Sequence, residues 1–148
     1  MNKAIRAIIA ILVSVALVLA GLYFYNQNQR RNCRIAEARE SLLQFRPLIA
    51  QFNDAISSVE GLGGASLIDP IARMETIRDA VKLVRVPKCL ELAKSEIVMG
   101  MDDDIASINA IRLGESQSKA DSLMASGIQH FQNANKEIER VGKCAPTC

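Results

Sequence analysis

Four cysteines are the residues of this 148-residue chain whose type and spacing most favour chemistry: Cys33, Cys89, Cys144 and Cys148. A redox-active pair is typically a Cys-x-x-Cys motif in a βαβ setting, and the sequence has neither feature. A four-thiolate zinc site is one alternative, because the spacing of Cys144 and Cys148 suits it, although Cys33 and Cys89 stand alone. The cysteines could also be four unpaired thiols, or they could form two disulfides.

The remaining candidates for chemistry are a lone histidine, an acidic run and a glycine-rich loop. His130 has no sequence neighbour that predicts a catalytic acid or a ligand set, so we interpret it as a solvated residue. Asp102–Asp104 lacks the spacing of a calcium loop, and three consecutive carboxylates on a helix point three ways. We expect Asp104 to contact an Arg or Lys of a neighbouring helix. Gly61–Gly64 lacks the GK[ST] ending of a phosphate loop. The sequence therefore predicts no catalytic residue, cofactor or metal, and favours a protein that is not an enzyme.

Residues 7–25 form an apolar stretch without charge, AIIAILVSVALVLAGLYFY. A helix of this length rises roughly 28 Å, close to the hydrocarbon thickness of a bilayer. A helix of a soluble protein would carry a polar face, which is missing here. The stretch therefore predicts a transmembrane helix that follows a basic tail (residues 1–6) and anchors the chain in a cell membrane as a single-pass protein.

A cleaved signal peptide is the alternative interpretation of the same stretch. Lys3 and Arg6 give a basic start, and Val18 and Ala20 suit the −3 and −1 positions of a cleavage site. Cleavage there would leave an apolar new end that runs to Tyr25, which favours an uncleaved anchor. Basic residues lie on both sides of the stretch, so charge alone leaves the orientation open, and large trailing domains translocate largely regardless of charge.

Four amphipathic patterns with the helical period follow a polar segment at residues 26–32. In the first and the fourth pattern, spacings of three and four alternate as in a heptad seam. No stretch alternates as a strand does. We therefore predict an all-α fold, in which an N-terminal transmembrane helix is followed by an antiparallel up-down-up-down four-helix bundle over residues 33–142. The apolar positions are Ile35, Ala38, Leu42, Phe45, Ile49, Phe52, Ile56 and Val59; Ile71, Met74, Ile77, Val81 and Val84; Leu90, Ala93, Ile97, Met101, Ile105 and Ile108; and Ala120, Met124, Gly127, Phe131, Ala134, Ile138 and Val141.

Proline, glycine and capping residues set the expected helix boundaries. Pro47 interrupts the first seam, but the apolar phase is the same on both sides, so we expect the helix to bend there and to continue. The other boundaries follow from residues that start or stop helices. They are Asp69 as an N-cap with Pro70 after it, Val86–Pro87 as a break, Gly114 as a stop, Ser116 or Ser118 as a cap, and Gly142 as the end of the fourth helix.

The order of the helices brings the four cysteines to one end of the predicted bundle. The second and fourth helices return to the level at which the first begins, so Cys33, Cys89 and the tail at residues 143–148 meet near the membrane. An even number of cysteines at element ends indicates disulfides in an oxidising compartment, which favours a bundle outside the cytoplasm. Of three pairings we favour Cys33–Cys89 with Cys144–Cys148. The first link would stabilise the domain by about 4 kcal/mol in the chain-entropy account.

Charge narrows the classes of partner. Two of the 18 basic residues precede the apolar stretch and all 16 acidic residues follow it, so the bundle is close to neutral. A nucleic-acid-binding domain would show a basic face, so we expect no nucleic acid partner. Ala10 and Ser14 are small residues four apart in the membrane stretch, and such pairs allow two membrane helices to approach closely, which leaves a homodimer open.

The stretch from Cys33 to about Leu113 resembles a group of uncharacterised bacterial exported or membrane-anchored helical domains. The resemblance is carried by Cys33-Arg34, Phe52-Asn53-Asp54, Pro70-Ile71 and Val86-Pro87-Lys88-Cys89. It implies a helical fold and export, and it implies no activity.

The leading functional hypothesis is a non-enzymatic module of the bacterial envelope. A membrane helix at residues 7–25 would present the bundle outside the cytoplasm, where it interacts with another protein or has a structural role. The first alternative is a small-molecule-binding or sensory module with a pocket near Pro47 and Gly100. The second alternative is a secreted domain released by signal-peptide cleavage.

Overall fold

Four α-helices account for most of residues 35–144, which are the residues that the computed structural model describes. No strand occurs in this part of the chain, so the all-α prediction is confirmed for the residues described. Two short 3-10 turns, Gly64–Leu67 and Lys88–Leu90, precede the second and third helices. The helices are α1 (Ile35–Ser57), α2 (Ile68–Leu83), α3 (Glu91–Arg112) and α4 (Gln117–Cys144).

The predicted membrane segment falls outside the part of the chain described by the structure. This holds for residues 7–25 and for both of their flanks, residues 1–6 and 26–32. Between residues 35 and 144, no helix combines the length and the apolar character needed to cross a bilayer. The transmembrane helix therefore stays a prediction from the sequence.

α1 continues without a break through Pro47, so the predicted continuity of the first helix is confirmed. The apolar seam explains this, because Phe45 and Phe52 on either side of Pro47 are only 4% and 1% exposed. Pro47 itself lies on the exposed side of the helix, where water can satisfy the carbonyl group that proline leaves without a donor. The buried phenylalanine side chains on both sides thus stabilise the helix across Pro47, where one backbone hydrogen bond is missing.

The start of α2 differs from the prediction that Asp69 is its N-cap. The chain passes directly from the 3-10 turn into the helix, Leu67 occupies the N-cap position, and no side chain caps it. Leu67 is 1% exposed, so burial of this residue, and not a capping hydrogen bond, fixes where α2 begins. Asp69 lies inside the first turn, where its negative charge favours the positive end of the helix dipole.

The junction between α3 and α4 follows the predicted stop and start signals. Gly114 has φ = 71°, a conformation in which residues other than glycine are strained. Its amide donates to the Ile111 carbonyl, and the Glu115 amide donates to the Ala110 carbonyl, which together make a Schellman motif. The Lys119 amide then donates to Ser116 Oγ at 3.3 Å, so Ser116 caps α4.

Gly114→Ala is expected to lower the free energy of unfolding by about 1 kcal/mol, because alanine is strained at this positive φ. Steric overlap does not contribute to this loss of stability, since no atom lies within 4 Å of an added Cβ. Urea unfolding of the full chain, followed by circular dichroism, measures the change. Gly63→Ala is the matched control in a neighbouring loop, because Gly63 has the same free space and no positive φ. Equal stability of the two variants would contradict the prediction.

The end of α4 also differs from the prediction, because the helix passes through Gly142 and ends at Cys144. Gly142 has no positive φ, so it does not form the left-handed cap that a terminal glycine usually provides. The helix therefore extends two residues into the predicted tail at residues 143–148.

Consecutive helices pack against each other, and polar contacts show that these pairs run in opposite directions. At the α1–α2 pair, Ser41 Oγ near the start of α1 lies 3.5 Å from the Arg85 carbonyl that follows α2. At the α2–α3 pair, Lys94 Nζ donates to the carbonyls of Lys82 and Val84 at 2.5 and 2.7 Å. A cation thus satisfies carbonyl groups at the C-terminal end of α2, where the helix dipole is negative.

α3 and α4 approach each other most closely, and small residues make this possible. Seven-residue steps place Gly100 and Ser107 on α3 opposite Gly127 and Ala120 on α4. Ser107 Oγ, fully buried, donates to the Ala120 carbonyl at 2.8 Å. A Cβ at Gly100 would lie 3.1 Å from the Gly127 carbonyl oxygen, and a Cβ at Gly127 would lie 3.1 Å from that of Gly100. The two backbones are therefore in contact at this crossing.

One main core joins all four helices, and a smaller cluster closes the end at which α1 begins. The smaller cluster contains Ala38, Cys89, Leu90 and Ala93. In the main core the side chains come from every predicted seam, although Met124 of the fourth seam is 44% exposed. Its largest members are Phe45, Phe52, Leu67, Ile71, Met74, Ile77, Val81, Ile97, Met101, Ile105 and Ile108.

Candidate functional site

An apolar groove lies between α1 and α4, with α3 as its floor. Its volume is about 750 Å3, and it is open along one side. The groove exists because α1 and α4 have almost no close backbone contact within the described residues, unlike each pair of consecutive helices. The lining residues are Leu42, Phe45, Arg46, Ile49, Ala50, Asn53, Ile97, Phe131, Ala134, Asn135 and Ile138.

The groove lies beside the two residues near which a pocket was expected, although neither Pro47 nor Gly100 lines it. Arg46, which precedes Pro47, lines one wall. The ring of Phe131 lines the opposite wall and lies 3.0 Å from the point where a Cβ on Gly100 would be. The Phe131 ring thus occupies the space that a side chain at position 100 would fill, so its position depends on the glycine there. The close crossing of α3 and α4 therefore shapes one wall of the groove.

A polar cluster occupies a different face of α4, where it meets α3. His130 Nδ1 lies 2.8 Å from Glu96 Oε2, and since a carboxylate only accepts, Nδ1 carries the proton and donates. Asn133 Nδ2 donates to the same Glu96 oxygen at 3.4 Å. On the other side of the ring, Nε2 is 3.7 Å from Asp103 Oδ2. The imidazole therefore lies between carboxylates from two turns of α3.

This arrangement ties two helices together, because both ring nitrogens of His130 face carboxylates of the protein. It overturns the interpretation of His130 as a solvated residue without an acid partner. Asp103 Oδ2 is buried and accepts no hydrogen bond within the described residues, so its charge faces the ring at a distance too long for a good hydrogen bond. Neither nitrogen is directed at an open cavity, so the cluster is better suited to holding α3 and α4 together than to proton transfer.

The three consecutive aspartates point to three different places, as expected for neighbours on a helix. Asp102 accepts from Arg78 of α2 at 2.6 Å, and Asp103 faces His130 of α4. Asp104 lies over Gly127, where a Cβ would be 2.6 Å from Asp104 Oδ1. The expected contact between Asp104 and an Arg or Lys is therefore wrong; Asp102 makes it instead. α3 runs between α2 and α4, so the residue that reaches Arg78 lies on a different face from Asp104.

Burial against α4 raises the pKa of Asp104 to about 6, and the nearby charge of Asp103 adds to the shift. An acid whose pKa is higher in the folded state than in the unfolded state binds protons more tightly when folded. Stability from this group is therefore fully present below the unfolded value of 3.8 and is lost as the pH rises through about 6. At neutral pH the Asp104 carboxylate opposes folding.

Asp104→Asn is expected to raise the free energy of unfolding at pH 7.5 by about 1 to 2 kcal/mol, after a discount for partial exposure. The amide keeps the shape of the side chain and removes the desolvated charge. The gain should disappear at about pH 4, where wild-type Asp104 is largely protonated in the folded state. Urea titrations at both pH values measure it, with Asp54→Asn on the exposed side of α1 as the control. A gain that persists at low pH would contradict this assignment.

Of the four cysteines, only the side chain of Cys89 is described. It is 3% exposed and disulfide-bonded, and it packs against Ala38 at the start of α1. Cys89 thus lies at the end of the bundle at which α1 begins. Cys33 and Cys148 lie outside the described residues, as does the side chain of Cys144, so the pairs Cys33–Cys89 and Cys144–Cys148 stay predictions.

Between residues 35 and 144, no group of three or more His, Cys, Asp or Glu is arranged to hold a metal ion. The geometry of the polar cluster explains this for its own members, since Glu96 and Asp103 lie on opposite sides of the His130 ring and do not converge on one point. The described residues also form a groove with a mainly apolar lining. One cation and two amides are among its lining residues.

The chain was compared with protein-family models, curated proteins and solved structures, and none of them matches it. The resemblance to uncharacterised bacterial helical domains therefore stays a prediction.

Proposed function

We propose that this chain is a single-pass membrane protein of the bacterial envelope whose helical bundle, outside the cytoplasm, binds another protein. The observation that carries the proposal is the open apolar groove between α1 and α4. Antiparallel four-helix bundles usually bury the faces of all four helices against one another. A groove in which Phe131, Ile138 and Leu42 are only partly buried provides a binding surface on an otherwise packed domain.

The chemistry of the groove favours binding over catalysis. Its walls are apolar, and the polar side chains among its lining residues are Arg46, Asn53 and Asn135. These groups donate or accept hydrogen bonds and orient a bound molecule. An acid–base or nucleophilic mechanism would need a carboxylate, histidine, cysteine or hydroxyl in the groove, and none of these lines it in the described part of the chain. The proposal is accordingly a non-enzymatic module.

Two features support the location outside the cytoplasm. Residues 7–25 are long and apolar enough for one membrane span. Cys89 is disulfide-bonded, and disulfides persist mainly in oxidising compartments. The proposed topology places residues 1–6 in the cytoplasm and the bundle in the periplasm or at the cell surface. If residues 7–25 were cleaved, the same bundle would be secreted, and its groove would be unchanged.

A small-molecule-binding or sensory module is the second candidate, because the volume of the groove favours it. About 750 Å3 lies within the range of pockets for drug-sized ligands, roughly 300–1,000 Å3. Such pockets bury most of their ligand, however, and this groove is open along one side. The open side is the reason to prefer a protein partner, which covers a groove and needs no enclosure.

Two measurements on the full chain test the proposal. Fusion of alkaline phosphatase to the C-terminus should give an active enzyme, since that reporter folds only after export; an inactive, stable fusion would contradict the topology. A photo-crosslinking residue at Ala50 or Asn135 in the groove should give an adduct with a protein in intact cells. The same residue at Arg73 on the exposed side of α2 is the control. Adducts with lipid or small molecules alone would support the second candidate instead.

A further inference from the structure

The groove has the dimensions of a binding site for a helix. Its α1 wall runs from Leu42 to Asn53, roughly 16 Å at 1.5 Å per residue, and its α4 wall runs from Phe131 to Ile138, about 10 Å. Both walls are helical, and the α1 wall is the longer of the two. A ligand that contacts the whole α1 wall must therefore extend over about 16 Å, or three helical turns.

The apolar strip on α4 continues beyond the groove. Met124, Ile128, Phe131, Asn135 and Ile138 follow each other at spacings of four, three, four and three, so they share one face of the helix. Met124 and Ile128 are 44% and 52% exposed. The whole strip is about 21 Å long, which is longer than the groove itself. A compact ligand held in the groove would leave the part of the strip at Met124 and Ile128 in water. A partner helix that lies along α4 would cover the whole strip.

The α1 side of the groove is basic. Arg46 lines the groove, and Arg39, seven residues earlier, lies on the same face of α1. Neither arginine makes a hydrogen bond or ion pair within residues 35–144, in contrast to Arg78 and Arg140, which are paired with Asp102 and Glu137. Two arginines that have no partner among the described residues, about 10 Å apart along an apolar groove, favour an anionic partner.

We propose that the groove receives one amphipathic helix of a partner protein, with apolar residues at heptad spacing and two carboxylates seven residues apart that face Arg39 and Arg46. The inference rests on the proposed function and names the chemistry of its partner. The apolar residues of the partner pack against Phe131 and the exposed strip on α4, as an amphipathic helix does in a hydrophobic groove. The carboxylates pair with the arginines in bidentate geometry.

A second copy of this chain fits the groove less well. In a symmetric dimer the same surface of both copies meets, so Arg39 and Arg46 of both copies would lie in one interface. Like charges across an interface oppose association. The basic rim therefore disfavours self-association through this groove and favours a partner of opposite charge.

The experiment uses the full chain in lipid nanodiscs and a display library of helical peptides about three heptads long. The peptides have fixed leucines at the heptad core positions and random residues beside them. Selection on the wild-type chain should enrich Glu or Asp in pairs seven positions apart. Selection on the Arg39→Glu/Arg46→Glu variant should enrich Lys or Arg at the same positions. Arg73→Glu, on the exposed side of α2, is the matched control and should select the wild-type peptides.

Affinities of the selected acidic peptides, measured by fluorescence anisotropy, should fall about tenfold or more with Arg46→Glu and stay unchanged with Arg73→Glu. A failure to enrich any peptide, or enrichment without charge, overturns the inference. So does a dimer of the full chain, seen by light scattering, that separates with Ile128→Glu. If the groove crosslinks to a protein but no acidic peptides are selected, the proposed function stands and this partner chemistry is refuted. If the phosphatase fusion is inactive but acidic peptides are selected, the proposed location is refuted and this partner chemistry stands.

Discussion

Phe52→Ala should lower the free energy of unfolding by about 3 to 5 kcal/mol, the largest effect of any single substitution that we predict. The Phe52 side chain is 1% exposed and belongs to the main core of the bundle. Its removal loses the transfer free energy of a whole aromatic ring and leaves a cavity between packed helices, which relax only in part. Because domains of this size are stable by only about 5 to 15 kcal/mol, much of the folded population could be lost.

The measurement is urea unfolding of the full chain, followed by circular dichroism, with Leu43→Ala as the matched control on the same helix. Leu43 is 57% exposed, so its truncation should change stability by no more than about 0.5 kcal/mol. A variant Phe52→Leu, which keeps much of the apolar volume, should fall between the two. If Phe52→Ala were as stable as Leu43→Ala, the position of the main core would be wrong.

Gly100→Ala should destabilise the protein by about 1 to 3 kcal/mol, although alanine is the better helix former. The added Cβ would be 3.0 Å from two ring atoms of Phe131 and 3.1 Å from the Gly127 carbonyl oxygen. The ring can shift into the groove, but the Gly127 backbone can move only if α4 moves. The cost of separating two packed helices therefore exceeds the gain in helix propensity, which is about 1 kcal/mol.

Gly142→Ala is the control, because Gly142 lies in α4, has no positive φ and has nothing within 4 Å of an added Cβ. This variant should be neutral or slightly more stable. Thermal unfolding of both variants, and of Gly100→Ala combined with Gly127→Ala, measures the effect. The double variant should lose less stability than the two single variants added together, because either methyl group alone already separates the same two backbones. Stabilisation by Gly100→Ala would show that α3 and α4 are not in contact at this crossing.

Helices and their faces could be predicted from the sequence because they depend on residues near each other in the chain. The phase of the seam around Pro47, the stop at Gly114 and the cap at Ser116 are local signals, and the structure confirms them. The predicted start of α2 was wrong because Asp69 is a good local cap, whereas the burial of Leu67, which fixes the actual start, depends on the rest of the fold. Tertiary packing outweighed local propensity at that position.

The polar cluster could not be predicted, because its members are far apart in the sequence. Glu96 and His130 are separated by 34 positions, and their contact depends on the register between α3 and α4. That register is set at Gly100 and Gly127, which the sequence shows as ordinary helical glycines. Once the crossing is known, Glu96, four residues before Gly100, and His130, three residues after Gly127, come opposite each other on the antiparallel helices. A paired search for small residues at heptad spacing on consecutive helices is the signal that would have found it.

The groove was only partly predictable. Amphipathic patterns place Leu42, Ile49 and Phe131 on inward faces, but they do not say that α1 and α4 fail to meet. The gap is a consequence of how tightly α3 holds α4, since the glycine crossing draws α4 towards α3 and away from α1. The pocket expected near Pro47 and Gly100 named two neighbours of the groove, although neither of them lines it.

The arrangement of neighbours has a consequence for hydrogen exchange. α1 packs along one consecutive helix, α2, whereas α3 lies against α2 on one side and α4 on the other. Amide protons in the middle of α1 should therefore exchange through local opening at a lower free energy than those around Gly100 and Ser107 in α3. The helix that opens first is also the one that bears Arg39 and Arg46. A partner that fills the groove should accordingly slow exchange in α1 most, because it gives that helix its second neighbour.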